Sequence, residues 1–228
     1  MFSIIAPLDL NRLEQFKVTK QVYDAMPQVK EFVIPTRNEL KVARWLDDNK
    51  LMKGVRIIPY RVDKGFNVSK ALNLGVKMAK YDSIIVTSPE VKPTTDVLGQ
   101  LEKLAGKNVI CQVFDQSIEG NLTSLVHQTY RSDDPAMYFL AMFNKSDIEK
   151  INGWDMEFMR GYAYEDNDFG ARWNRAGLPF EVHDEIQATH QYHERGETIE
   201  GGMVINQQHF YDNTDRGVVY CENGLDKV

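Results

Sequence analysis

The first half of the chain alternates between short continuous apolar runs and longer stretches with apolar residues three or four apart. "FSIIAP" is a compact apolar run closed by proline and predicts a buried strand. "LNRLEQFKVTKQVYDAM" then spaces Leu10, Leu13, Phe16, Val22 and Met26 at roughly helical intervals. The same switch recurs. "VKEFVIP", "GVRIIPY" and "DSIIVTS" predict strands, with the helices "NELKVARWLDDNK" and "NVSKALNLGVKMAK" between them. Strands alternating with helices predict an α/β layer fold, with a mixed, mostly parallel central sheet flanked by helices. Ligands of such sheets bind beyond the carboxyl ends of the strands. The loops starting at Pro7, Pro35, Tyr60 and Ser88 are therefore expected along one edge.

The second half is less regular. "KNVICQVF", "AMYFLAMFN" and "LPFEVHD" predict strands. "KSDIEKIN" predicts a short helix capped by Ser146, and "EDNDFGARWNRAG" a helix ending near Gly177. Beyond His190 the chain is polar and aromatic. There is no internal repeat or convincing linker. One compact domain over 1–195, with an extension over 196–228 packed on it, is the simplest organisation.

Composition narrows the classes. With 228 residues, 43% hydrophobic and 26% charged, the chain has an ordinary globular balance. No apolar run is long enough to span a bilayer, and "MFSIIAPLD" lacks the basic start of a signal peptide. Cys111 and Cys221 suit neither a disulfide framework nor a metal knuckle. These features predict a cytoplasmic setting. A net charge of −6 disfavours a general nucleic-acid binder.

Four stretches carry candidate chemistry. In "FNVSKALNLG", Lys70 and Asn73 share a helix face and could hold a phosphate and a ribose or base. A plain amphipathic helix with a solvated lysine explains the same residues. Gly75 would let this helix approach the sheet closely. In "VTSPEV", Glu90 sits just past a buried strand, where a cation bound to a diphosphate could use a hard carboxylate. Ser-Pro-Glu is also ordinary turn chemistry. "YAYEDNDFGARW" packs Glu165, Asp166 and Asp168 into the start of one helix. The helix dipole accounts for one or two of them. Neighbours on a helix face differently, so one carboxylate can bind while the other acts as general base. Finally, His190 and His193 of "ATHQYHERG" are metal-capable imidazoles, though two histidines three apart on a loop are more often solvated than metal-bound.

Taken in order, these motifs resemble the GT-A glycosyltransferases, closest to the β-1,4-galactosyltransferase, polypeptide N-acetylgalactosaminyltransferase and chondroitin-polymerase group. "FNVSKALNLG" is similar to the family's Phe-Asn-Arg-Ala-Lys-Leu-Leu-Asn-Val-Gly segment. "SIIVTSPEVKP" stands where a strand ends in the Asp-x-Asp metal motif. "NGWDMEFMRGYAYEDNDFGAR" resembles the Gly-Trp to Glu-Asp-x-Asp segment, and "HQYHERG" the late His-Gln segment.

The resemblance implies the GT-A (nucleotide-diphospho-sugar transferase) fold, a nucleotide-sugar donor such as a UDP-sugar, and a divalent cation, Mn²⁺ or Mg²⁺. It places Pro7 and Asp9, and more weakly Arg37, near the nucleotide base, with Lys70 and Asn73 along the nucleotide. Glu90 would take the place of the second Asp of Asp-x-Asp and Ser88 that of the first, with His190 as the metal histidine in preference to His193. Trp154 and Glu165 would shape the acceptor and sugar pocket, and Asp166 would deprotonate the acceptor hydroxyl for inverting transfer of a hexose. The acceptor could be a glycan, a lipid-linked sugar, a protein or a modified nucleobase. Phe158, Tyr162 and Tyr164 suit stacking on a sugar, or a core. The lost first Asp leaves two other classes open, a non-catalytic sugar-nucleotide-binding module and a nucleotidyltransferase.

Overall fold

In a computed structural model of the chain, residues 1–62, 67–125, 139–160, 163–194 and 201–228 are described, with the side chains of 123–125 and 160 left aside. The strands are β1 (Phe2–Ile5), β2 (Lys30–Thr36), β3 (Val55–Pro59), β4 (Ser83–Thr87), β5 (Val91–Pro93), β6 (Val109–Gln116), β7 (Leu122–Leu125), β8 (Leu140–Asn144) and β9 (Glu181–His190). They form one sheet in the order β3-β2-β1-β4-β8-β6-β9-β5, with β7 beside β6. β3, β2, β1 and β4 run parallel, and β6 is parallel to β9. β8 is antiparallel to both β4 and β6, and β5 is antiparallel to β9.

The helices are α1 (Leu13–Ala25), α2 (Glu39–Asp48), α3 (Val68–Met78), α4 (Val97–Glu102), α5 (Lys145–Lys150), α6 (Glu165–Arg175) and α7 (Gly202–Asp215). Successive strand residues point to opposite faces. Ile4 joins Phe16, Tyr23, Phe32 and Leu46 on one side. Ile5 joins Leu72, Val76, Phe143, Trp154, Phe169 and Trp173 on the other. Asn67 caps α3 by accepting from the Lys70 amide at 2.8 Å.

Gly75 fulfils the close-approach expectation. A Cβ there would lie 2.3 Å from Cγ2 of Ile5, which has no exposed surface. Alanine in a helix is normally favoured over glycine by about 1 kcal/mol, but overpacking costs about 1–3 kcal/mol. Gly75→Ala should therefore lower the unfolding midpoint by a few degrees in a thermal melt. An unchanged or raised midpoint would show that Ile5 yields freely.

The structure corrects one cap. Helix α5 is capped at Asn144, and Ser146 lies inside it. β9 also runs on from the expected 178–184 to His190, and this extension carries the site described next. Helix α7 packs on α6 and on the 3₁₀ turn Met156–Arg160, and the 3₁₀ turn Leu225–Lys227 packs on α3. Among the described residues no helix is long and apolar enough to cross a membrane.

Candidate active site

At the carboxyl ends of β1 and β2, Asp9 is the junction. Its Oδ1 accepts from the Leu10 amide and from Asn38 Nδ2, both at 2.9 Å, and its Oδ2 accepts from Arg37 at 2.8 Å. It thereby caps the 3₁₀ turn Leu10–Arg12. Pro7 is buried beside it.

At the end of β4, Ser88 and Glu90 are both buried. The short β5 begins at Val91, whose register partner on β9 is His190. That pairing places His190 beside Glu90. Nε2 of His190 lies 3.5 Å from Glu90 Oε1, and Nε2 of His193 lies 3.4 Å from the same oxygen. One potential ligand atom from each of the three residues falls within 4.8 Å of the others. Nδ1 of His190 pairs with Asp115 Oδ1 at 3.0 Å. Such a bond favours a proton on Nδ1, so that Nε2 donates to Glu90 when the ring is protonated and would offer its lone pair to a cation once that second proton is lost. Gln191 fixes the main chain of Glu90, its amide and its Nε2 each donating to Glu90 O at 3.0 Å. Arg12 adds a cation, its Nε 3.8 Å from Glu90 Oε1.

Burial opposes ionisation of Glu90, but hydrogen bonds from His190 and His193 prevail and hold its pKa at about 2. For His190 burial works against protonation, yet Glu90 and Asp115 raise its pKa. Oε2 of Glu90 is buried with no hydrogen-bond partner among the described residues. An orphaned carboxylate oxygen is costly unless it meets a cation. Two imidazole nitrogens and a carboxylate suit a first-row divalent cation. These residues fit the metal that the resemblance implies.

The acidic helix is built differently. Ala163 and Tyr164, just before α6, both have left-handed backbones, with φ of 62° and 71°. Non-glycine residues hold such conformations only when their surroundings enforce them. Helix α7 does so. Asn206 donates to the carbonyls of Ala163 (2.7 Å) and Phe158 (3.0 Å), Gln207 donates to the Tyr164 hydroxyl (2.8 Å), and Phe210 packs on the Tyr164 ring. The turn delivers Glu165 and Asp166, both half-buried. Burial raises both carboxyl pKa values, and the charge of Asp166 raises that of Glu165 further.

Asp168 has another role. It is wholly buried and accepts from Arg172 Nε at 2.6 Å and from Asn213 at 2.9 Å. Arg172 in turn donates to the carbonyls of Ile151 and Gly153. This pair ties α6 to the Ile151–Trp154 loop.

Two expected ligand contacts are placed in that framework. Trp154 has no exposed surface and its ring stacks on Phe169 of α6 with centroids 4.1 Å apart, so it packs in the core and does not face a ligand. Asn73 is also fully buried. Its amide accepts from Trp154 N at 2.9 Å and donates to Trp154 O at 2.7 Å, leaving it facing the loop. Lys70 reaches the carbonyl of Arg61 at 2.9 Å. Phe158 is buried and Tyr164 half-buried, while Tyr162 lies outside the described residues. Sequence reasoning missed Arg12, Asp115 and Gln191. Only the Gln191 position, directly after His190, carried a local signal.

The architecture is the GT-A fold of nucleotide-diphospho-sugar transferases. Residues 139–197, which span β8, α6 and the histidine segment, match a family described as the N-terminal domain of galactosyltransferase. Among solved structures, the chain is similar to the mannosyltransferase PcManGT from Pyrobaculum calidifontis in complex with GDP-Man and Mn²⁺. The TM-score is 0.65 at 14% identity, covering 94% of this chain and 64% of that one. It is also similar to residues 1–349 of S. aureus TarS in complex with UDP-GlcNAc, with a TM-score of 0.65 at 11% identity, covering 86% and 60%. The chain thus spans less than two thirds of the length of these neighbours. No curated protein matches it by sequence.

Proposed function

We propose that the chain is an inverting, cation-dependent glycosyltransferase that moves a hexose from a nucleotide-sugar donor, a UDP-sugar, to an acceptor hydroxyl. The observation that carries this reading is the Glu90–His190–His193 cluster, with its orphaned carboxylate oxygen, at the carboxyl edge of a GT-A sheet. Held there, Mn²⁺ or Mg²⁺ would supply Lewis-acid neutralisation of the departing diphosphate. Asp115 orients His190, and Gln191 holds the main chain of Glu90.

Asp166 is the base. Its raised pKa brings it nearer to working pH, which favours taking a proton from the attacking hydroxyl. Transfer from a good leaving group needs no carboxylic acid across the bond, unlike glycoside hydrolysis. Glu165 binds sugar hydroxyls beside it. Pro7 and Asp9 line the base end of the donor site, and Lys70 and Ser88 lie along its phosphates and ribose. Asn73 and Trp154 act from behind, through the loop they fasten. Residues 1–195 form the transferase domain, with 196–228 packed on it. The acceptor is a glycan, a lipid-linked sugar, a protein or a modified nucleobase.

The test is release of nucleoside diphosphate from a panel of sugar nucleotides with Mn²⁺. Release should stop with a chelator, and Glu90→Gln should weaken Mn²⁺ binding more than about tenfold, since even outer-shell changes at metal sites cost that much. Donor binding without release across a broad acceptor panel would leave only a sugar-nucleotide-binding module. Pyrophosphate release from a nucleoside triphosphate would indicate a nucleotidyltransferase instead.

A further inference from the structure

We infer that Arg12 is a resident cation of the metal pocket. It occupies Glu90 when no metal does and turns to the donor's diphosphate when Glu90 is taken. This inference rests on the cation-dependent reading above. Three observations carry it. First, Arg12 shares a single oxygen, Glu90 Oε1, with both imidazoles, so it stands where a divalent cation would draw on that carboxylate. Second, the pairing is loose. At 3.8 Å it is a charge contact without a hydrogen bond, whereas the capped turn that presents Arg12 is firmly held by Asp9. Third, the Arg12 side chain is only 16% exposed, so its charge lies inside the site beside Glu90 and not out in solvent.

A guanidinium suits this exchange. It is always charged, is weakly hydrated, and offers a planar fork of donors to phosphate oxygens. Arg12 therefore opposes metal binding in the free protein and favours diphosphate binding in the loaded one. The two effects have opposite signs, and a residue serving only to hold the turn would not produce both.

The experiment compares wild type, Arg12→Gln, Arg12→Lys and Glu90→Gln. Mn²⁺ affinity is measured by electron paramagnetic resonance without nucleotide. UDP and uridine affinities are measured by calorimetry with Mn²⁺ present. Arg12→Gln should bind Mn²⁺ about two- to fivefold more tightly, the scale of a partly exposed ion pair. It should bind UDP about tenfold more weakly, the scale of a charge-assisted bond, with uridine unchanged. Arg12→Lys should fall between. Mn²⁺ binding that is unchanged or weaker in Arg12→Gln overturns the inference, as does a UDP affinity equal to wild type. If wild-type binding is lost in Glu90→Gln, the metal site itself still stands. No Mn²⁺ binding to wild type or any variant overturns both.

Discussion

Asp166→Asn should lower kcat about 100- to 10,000-fold, the range for loss of a positioned general base, while leaving donor affinity near wild type. Asparagine keeps an oxygen that can accept the Asn167 amide, now at 2.9 Å from Asp166 Oδ1, so the helix start is preserved. Two further readouts follow from the raised pKa of Asp166. The base acts only when ionised, so wild-type kcat/KM should fall on acidification through a pKa above the usual aspartate value, and the variant should lack that limb. A carboxyl whose pKa is raised on folding costs no stability below its unfolded pKa, and its full penalty applies above its folded one. At neutral pH the variant should therefore melt above wild type. Product release measured with a radiolabelled donor checks the first effect and calorimetric melting the second. A variant of wild-type activity would end the assignment.

Arg172→Ala should cost about 3–5 kcal/mol, the price of leaving one member of a buried pair uncompensated. The change abandons the Asp168 carboxylate in a site with no exposed surface, and strips donors from the carbonyls of Ile151 and Gly153. For a chain of this size that is a fall of roughly 6–20 °C in midpoint. Replacing both partners with apolar residues, Asp168→Leu with Arg172→Met, should cost less than the single change, because no lone charge remains. Urea unfolding of wild type, single and double variants decides it. A loss below about 1 kcal/mol in Arg172→Ala would mean that water reaches Asp168.

The parts of the fold legible in the sequence are those whose burial follows a period. β1 to β4 and α1 to α3 face two apolar clusters, and their alternation reads directly. Helix α7 escaped because it is not docked through an apolar stripe. Met203, Val204 and Ile205 are exposed, while Asn206 and Asn213 are buried and bonded. β5 has three residues, too few to show any period. The second half of β9 carries only Ile186 and Ala188 as apolar residues, behind the polar "HDE", so its run toward His190 was hidden, although that run brings His190 to Glu90. Residue types alone suggested Glu90 and His190 as partners. Arg12 and Asp115 depend on contacts between segments far apart in the chain, which no local spacing encodes.

The clamp that Asn206, Gln207 and Phe210 place on Ala163–Tyr164 also ties the acidic turn to a later part of the chain. Every described strand precedes α7 in the chain. A chain cut before that helix would keep all of the described strands yet lack every contact by which α7 holds the turn before Glu165 and Asp166. The turn that carries Glu165 and Asp166 is thus completed only by a helix that follows every described strand.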